Sequence, residues 1–518
     1  MTAPMLFNLA DYYLEERVNE GRGERTALIS GESTRTYREV AEETRRVTAY
    51  LRRAGVRPEE RVLLILPDVF EFASAFFGVL RAGAVFAMVN PLLKREDLAY
   101  YLSYSKARVA IVHESVLPEL APLVEDARFL ERVLVVGDDA GAFDPWSDAL
   151  RHEDPNATAA ELEPTTRDDL AGWLFTSGST GHPKACVHRH GDFEFNTERY
   201  ALDVVGYRED DVTLSVPKLF FGYATGTNLM FPFRVGASAI LFPGRSTADE
   251  LFDQMAAHRP TLLTSVPTMI NNQLQSPRMT DVDWSRMRVC LSAGEALPPA
   301  LYREWKERTG VEILDGIGSA EMFHIYISNR LDDVKEASLG KLVPGYDAEI
   351  VDDAGERTPT GEPGRLRVRG GSTALCYWGD RAKSEETFQA DWCTSSDLFR
   401  EDGEGYFYYE GRSDDLIKVS GIWTSPLEIE NCLLEHPRVA EVCVVGAPDE
   451  NDLVKPLAFV VPRDGAGSDE LASELKAWAK QHLAPHKYPR WFEWREALPK
   501  NDRGKVARKE LRSEAEAR

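Results

Sequence analysis

Apolar and polar positions divide this chain into segments of different period. Residues 36–54, TYREVAEETRRVTAYLRRA, read as an amphipathic helix. Thr36 and Glu39 have the spacing of a capping box, and Gly55 stands where a helix C-terminus is closed. The short apolar run RVLLIL that follows predicts a buried strand, residues 72–80 a helix, and AVFAMV a second buried strand. Strand–helix–strand is a parallel α/β unit. ARVAIVH, RVLVVG, ASAILF, TLLTSV and MRVCLSA repeat the theme, so the bulk of the chain is predicted to be layered α/β with mostly parallel sheets.

The texture changes after about residue 345. DAEIVDDAGERTPTGEPGRLRVRG alternates apolar and polar residues around Gly/Pro turns and predicts antiparallel strands, and GYFYYEGRSDDLIKVSG continues in that style. The last hundred residues then predict a helix (SPLEIENCLLEH), two strands (VAEVCVVG and PLAFVV), a long helix (DELASELKAWAKQHL) and a charged tail. A small separate α+β unit is expected to begin near Arg412, with no internal repeat or low-complexity segment before it.

Composition narrows the picture. With 518 residues, several packing units are expected. The net charge of −24 argues against a nonspecific nucleic-acid binder, although a local cradle can still hold a small anion. Six scattered cysteines form no C-x-x-C pair, which fits a reducing cytoplasm better than a disulfide framework or a zinc site. His188 and His190 are too close for two metal ligands on one helical face and read as ordinary polar residues of a loop or helix start. The N-terminus has no signal-peptide pattern. The membrane-like run from Phe72 to Val89 is interrupted by Arg81 and Gly83, so a buried helix turning into a buried strand is expected.

Chemistry is concentrated in FTSGSTGHPKA, Phe175 to Ala185. Glycines let backbone N–H groups approach an anion, hydroxyls add donors, and lysine adds a point charge. The run is neither the G-x-G-x-x-G fingerprint nor the G-x-x-x-x-G-K-[ST] phosphate loop. Read by composition alone, it is either a phosphate cradle or a mobile surface loop.

TSGSTGHPKA closely resembles the phosphate loop of the acyl-adenylate-forming superfamily, which includes acyl-CoA synthetases, peptide-synthetase adenylation domains and firefly luciferase. The superfamily's other motifs follow in order: SAGEAL (292–297), DGIGSAE (315–321), SSDLF around Asp397, GRSDDLIKVSG (411–421) and PKNDRGKVARKEL around Lys505. The resemblance implies a large N-terminal domain over 1–411, made of two parallel-type sheets and a small β-barrel-like part. It implies a hinge at 412–415 turning on Asp414, and a mobile α+β domain over 416–518. It implies that a carboxylic acid is activated as acyl-AMP with release of pyrophosphate, then transferred to coenzyme A.

By matched position, Thr176, Ser177, Gly178, Ser179, Thr180, Gly181 and Lys184 would hold the ATP phosphates. Gly294, Glu295, Ala296, Asp315, Gly316, Ile317 and Gly318 would line the adenine and AMP. Glu321, with Thr176, would hold Mg²⁺, a hard ion suited to oxygen donors. Asp397 and Arg412 would grip the ribose. Lys505 would bridge the carboxylate and α-phosphate during adenylation, and Gly421 would flank the pantetheine channel. Three positions depart from the common pattern: Ala320 for threonine, Ser396 for glycine and Ala185 for glycine. The last two are tolerated if the backbone there is not left-handed.

VPKLFFGYATGTNLMFPFRVGA, GIGSAEMFHIYISNR and LAPHKYPRW resemble the benzoate-CoA ligase branch. That resemblance implies a ring slot lined by Gly222, Tyr223, Gly318, His324, Ile325 and Lys418, thin and apolar as a flat ring requires. Benzoate-specific relatives commonly carry alanine at Gly222, so glycine is expected to make room for a ring substituent, as in anthranilate or salicylate. His324 and Lys418 are expected to offer donors. The partners implied are a small aryl acid and coenzyme A, with no nucleic acid or membrane, in a monomer or homodimer. An adenylating enzyme that loads a carrier protein and a nonenzymatic nucleotide or acyl-CoA sensor are the alternatives.

Overall fold

The computed structural model describes residues 5–176, 182–412, 415–419, 422–450, 453–463, 465, 467–485, 487–500 and 506–516. The expected positions Ser177, Gly178, Ser179, Thr180, Gly181, Asp414, Gly421 and Lys505 lie outside these, and Arg412 and Lys418 are described as backbone only.

The first predicted helix runs Tyr37–Arg53. Thr36 accepts from the Glu39 N–H and Glu39 returns a bond to the Thr36 N–H, so the capping box forms as its spacing predicts. At the other end Gly55 takes φ +80°, its N–H donates to Arg52 O and the Val56 N–H to Leu51 O. That is the paired-bond closure which a left-handed residue makes possible. Behind this helix lies Phe70–Arg81, buried from Phe72 to Arg81. Each large apolar side chain it buries contributes about 1.5–3 kcal/mol. The membrane-like run is therefore core. Arg81, the last helical residue, donates to Glu15 and to Ala160 O, and the chain turns into the strand Val85–Met88. Among the described residues no helix is long and apolar enough to cross a membrane.

Two large sheets form the N-terminal bulk. In the described residues one has eight strands, with a parallel centre (Arg61–Ile65, Val85–Met88, Val109–His113, Arg132–Val136, Leu170–Thr176). An antiparallel edge is added by Lys184–Arg189 and Cys376–Tyr377. The other has nine strands, again parallel at its centre. Towards one edge it carries the hairpin of Ile313–Gly318 with Ile325–Ser328, beyond which Lys341–Leu342 is the edge strand. The antiparallel texture after residue 345 is a five-stranded sheet that includes Asp347–Val351, Gly364–Arg369, Trp392–Glu401 and Phe407–Arg412. Beyond it, Val439–Pro448, Val454–Pro462 and Trp491–Trp494 make a separate three-stranded sheet with its own apolar core. Glu435 of this last part reaches Arg303 at 3.2 Å.

Removing the first helix's cap by Thr36→Ala is expected to destabilise the chain by about 1 kcal/mol, read as a lower denaturant midpoint at unchanged slope.

Candidate functional site

Strand pairing builds one wall. Leu170–Thr176 and Lys184–Arg189 are antiparallel, with Thr176 directly opposite Lys184. The Lys184 side chain is only 12% exposed, and its Nζ lies 3.6 Å from Asp380 and over the Tyr377 ring. The Tyr377 hydroxyl donates to Glu321 Oε1 at 2.6 Å. Burial, then the Glu321 charge, pushes this phenol far above its ordinary range. Lys184, Tyr377 and Glu321 thus form a continuous chain of contacts.

Glu321 sits in the turn of the second hairpin, where Gly318 is opposite Ile325. A Cβ at Gly318 would stand 2.5 Å from His324 O, so only glycine allows this approach. Ala320–Met322 is a single 3₁₀ turn. Phe323 then adopts φ +66°, ψ −57°, and the His324 N–H donates back to Met322 O at 2.8 Å. This is the rarer, strained γ-turn. A residue in so sparsely populated a region costs about 1–3 kcal/mol and persists where its surroundings over-determine it. Here they do. Phe323 packs against Phe193 with ring centroids 4.5 Å apart. Ala320 O accepts from His188 Nε2, Glu321 O from the Ala374 N–H, Met322 O from Ser372 Oγ and Ile325 O from Asn196 Nδ2.

Of the positions expected to line the acid slot, Gly222, Tyr223, Gly318, His324 and Ile325 lie beside this turn. A Cβ at Gly222 would touch Leu174 at 3.4 Å and Phe323 O at 3.6 Å, so the gap there is one methyl wide. His324 is buried, and burial lowers its pKa to about 3, leaving the ring neutral. Its Nε2 lies 3.0 Å from Tyr223 O, and a carbonyl can only accept, so the single proton is there. The expected donor of His324 is thus committed to Tyr223 O, while Nδ1 is a buried acceptor without a partner among the described residues. The Tyr223 hydroxyl is likewise buried and without a partner among the described residues.

Among the positions expected to lie along the base, Asp315 is directly opposite Ser292 in parallel strands. Gly294, with φ +89°, turns the chain out of the sheet. The Glu295 carboxylate accepts from the Thr268 N–H and hydroxyl at the start of the helix Pro267–Gln275. Asp315 is buried, and burial raises its pKa to about 8 against the opposing pull of the Ser292 hydroxyl and the Gly316 N–H. Asp397 is directly opposite Arg412 in the five-stranded sheet. Neither Ala185 nor Ser396 has positive φ, so the condition for their replacing glycine is met.

The expected helix start is found at His190, the first residue of the helix His190–Asn196, whereas His188 lies in the strand Lys184–Arg189; both are buried, His188 meeting Asp192 and Ala320 O and His190 accepting from the Leu9 N–H. Tyr377, Asp380 and Ser372 were missed by sequence reasoning. For His188 a signal existed: strand alternation puts Lys184, Cys186 and His188 on one face.

Residues 14–378 match the AMP-binding enzyme family, and residues 428–505 match the AMP-binding enzyme C-terminal domain. The chain is 42% identical over 513 residues to a benzoate–CoA ligase of Thauera aromatica, covering 98% of this chain and 96% of that one. It superposes on the crystal structure of the anthranilate CoA ligase AuaEII in complex with anthranoyl-AMP with TM-score 0.94 and 38% identity, over 99% and 98% of the two chains. With a benzoate CoA ligase of Burkholderia xenovorans the TM-score is 0.90 at 40% identity, over 98% and 100%.

Because the folded-state pKa of Asp315 is raised, its neutral form favours the folded chain at acid pH, and that contribution is lost as pH rises through about 8. Asp315→Asn, which cannot ionise, should therefore gain stability relative to the unsubstituted protein as pH rises from about 5 to about 9, read as the difference between their denaturant midpoints.

Proposed function

The chain belongs to the AMP-binding enzyme family and is an AMP-forming acid–CoA ligase, and from that premise we propose that its acid is a benzoate-type aromatic acid, either benzoate or an ortho-substituted relative such as anthranilate. ATP and coenzyme A are the co-substrates of such ligases. One observation carries the reading. Glu321 and His324 stand three residues apart on one hairpin turn, so a carboxylate held beside the His324 slot lies next to the Lys184–Tyr377–Glu321 chain.

Two features favour a substituted ring. Glycine at 222 leaves the space that a methyl would fill, and His324 Nδ1 is an acceptor without a donor. An amino or hydroxyl group on the ring supplies such a donor, and leaving a buried acceptor unmatched costs about 1–3 kcal/mol. The likeness to a ligase solved with anthranoyl-AMP points the same way.

In the first step a carboxylate oxygen attacks the α-phosphorus, and the bond to pyrophosphate breaks. We assign the Thr176–Gly181 run and Lys184 to the phosphates, where N–H groups and one cation offset the charge that builds on the leaving group. Lys505 bridges the carboxylate and α-phosphate, Asp397 and Arg412 hold the ribose, and Gly294–Ala296 and Asp315–Gly318 lie along the base. In the second step the thiol sulfur attacks the acyl carbon, the bond to AMP breaks, and the thiol proton leaves to solvent. Residues 412–415, with Asp414, are the hinge between the 1–411 and 416–518 domains. Turning there withdraws Lys505 and brings Gly421 to the channel for pantetheine.

The donor set fits Mg²⁺. Glu321 keeps Oε2 outside its bond to Tyr377, Thr176 adds a hydroxyl, and Mg²⁺ takes one or two carboxylates with substrate phosphates rather than an all-protein cage. Bound there, Mg²⁺ would neutralise phosphate charge. Among the described residues no group of three His, Cys, Asp or Glu side chains could hold a metal by itself.

Pyrophosphate release over a panel of aryl acids, with free coenzyme A and no carrier protein, tests the reading; absence of turnover with every ring-bearing acid would end it. Gly222→Ala should lower kcat/KM for ortho-substituted acids about tenfold relative to benzoate, the effect of one methyl in a tight slot. Lys505→Ala should abolish adenylation yet spare thioester formation from supplied aryl-AMP, and equal loss of both half-reactions would count against the two-orientation mechanism.

A further inference from the structure

His188 has no part in the reaction as written, yet it is fully buried and bonded on both sides. Its Nε2 donates to Ala320 O at 2.7 Å, a hold on the backbone of the turn that carries Glu321. Its Nδ1 lies 3.1 Å from Asp192 Oδ2, and Asp192 is itself buried. Arg189 binds Asp192 through its backbone N–H and its guanidinium, so the carboxylate is fixed by its neighbour as well as by the ring. The strand that presents His188 also presents Lys184, on the same face and four residues earlier. Between them Cys186 packs with Ala374 and Tyr377, and the Ala320 methyl lies against that cluster.

We propose that His188, oriented by Asp192, is a positioning residue for adenylation: its Nε2–H fixes the Ala320 carbonyl and thereby sets the Glu321 carboxylate in register with Lys184. The proposal rests on the assignment of Glu321 and Lys184 to the metal-bound phosphates. Ala320 carries no hydroxyl, so its side chain cannot hydrogen-bond, and the carbonyl is the polar handle that this residue offers. One rigid strand holding both Lys184 and the clamp on Glu321 keeps their separation constant, which a phosphate bound between them requires. The other end of the turn has its own support in Ser372 and in Tyr346, whose hydroxyl lies 2.6 Å from Ser372 Oγ. Loss of His188 therefore removes the hold on the Ala320 carbonyl, leaving the Glu321 end to Ala374 and Tyr377 alone, while the His324 end stays held.

The test uses the full-length protein and three substitutions: His188→Leu, His188→Gln and Asp192→Asn. Wild-type turnover with an aryl acid is measured first and decides the functional reading alone. ATP binding is then measured calorimetrically with and without Mg²⁺, without acid. In wild type, Mg²⁺ should tighten ATP binding. His188→Leu should remove most of that enhancement, lower acid-dependent pyrophosphate exchange at least tenfold, and raise the KM for MgATP. The KM for the acid, and thioester formation from supplied aryl-AMP, should stay within about twofold. Asp192→Asn should lose less than His188→Leu. His188→Gln, which retains an N–H donor, should recover at least a third of wild-type exchange. An unchanged Mg²⁺ enhancement in His188→Leu, equal loss of both half-reactions, or a His188→Gln variant no better than His188→Leu would overturn the proposal.

Discussion

A buried backbone carbonyl without a partner costs about 1–3 kcal/mol, and a hairpin turn built on a positive-φ phenylalanine has little internal stability to offset such a loss. Ala320–Ile325 meets both demands through four donors drawn from distant parts of the chain: His188, Ala374, Ser372 and Asn196. The turn is thus specified by tertiary structure, with its own sequence supplying mainly Gly318, where no side chain fits, and the Phe323 ring that anchors it. Glu321 and His324 occupy their places because the rest of the large domain holds the backbone between them.

That arrangement explains a division of labour between the two large sheets. The eight-stranded sheet contributes the antiparallel pair Leu170–Thr176 and Lys184–Arg189, with Thr176 opposite Lys184. The nine-stranded sheet contributes another, with Glu321 and His324 in its turn. Each joins a strand of a parallel centre to an antiparallel neighbour, and the strand Leu170–Thr176 packs directly on the Ala320–Met322 turn. The parallel centres supply rigidity, and the antiparallel pairs present the residues proposed for the chemistry.

Much of this was legible in the sequence. The first helix announced both its ends, through Thr36, Glu39 and Gly55, because caps are local and need no tertiary partner. The buried strands were legible because they read as apolar runs. The positions expected around Glu321 and His324 could be named from the motif, but their protonation could not. The pKa of Asp315 is raised, and the single His324 proton lies on Nε2, because of how completely other elements cover them. Tyr377 and Asp380 went unnoticed because their importance lies in reaching Glu321 and Lys184 from nearly sixty and two hundred residues away. The strand position of His188 and the burial of both His188 and His190 went unread for the same reason, since burial of a polar residue is a property of its surroundings.

The resting place of Lys184 has a thermodynamic consequence. A lysine side chain free in water surrenders about 1.5–2 kcal/mol of rotamer entropy when it is immobilised. Here the Tyr377 face and Asp380 already confine it, so most of that disorder disappears when the chain folds. A phosphate bound there as proposed would meet an ammonium group whose conformational search is over, and would have only to displace the Asp380 carboxylate from it.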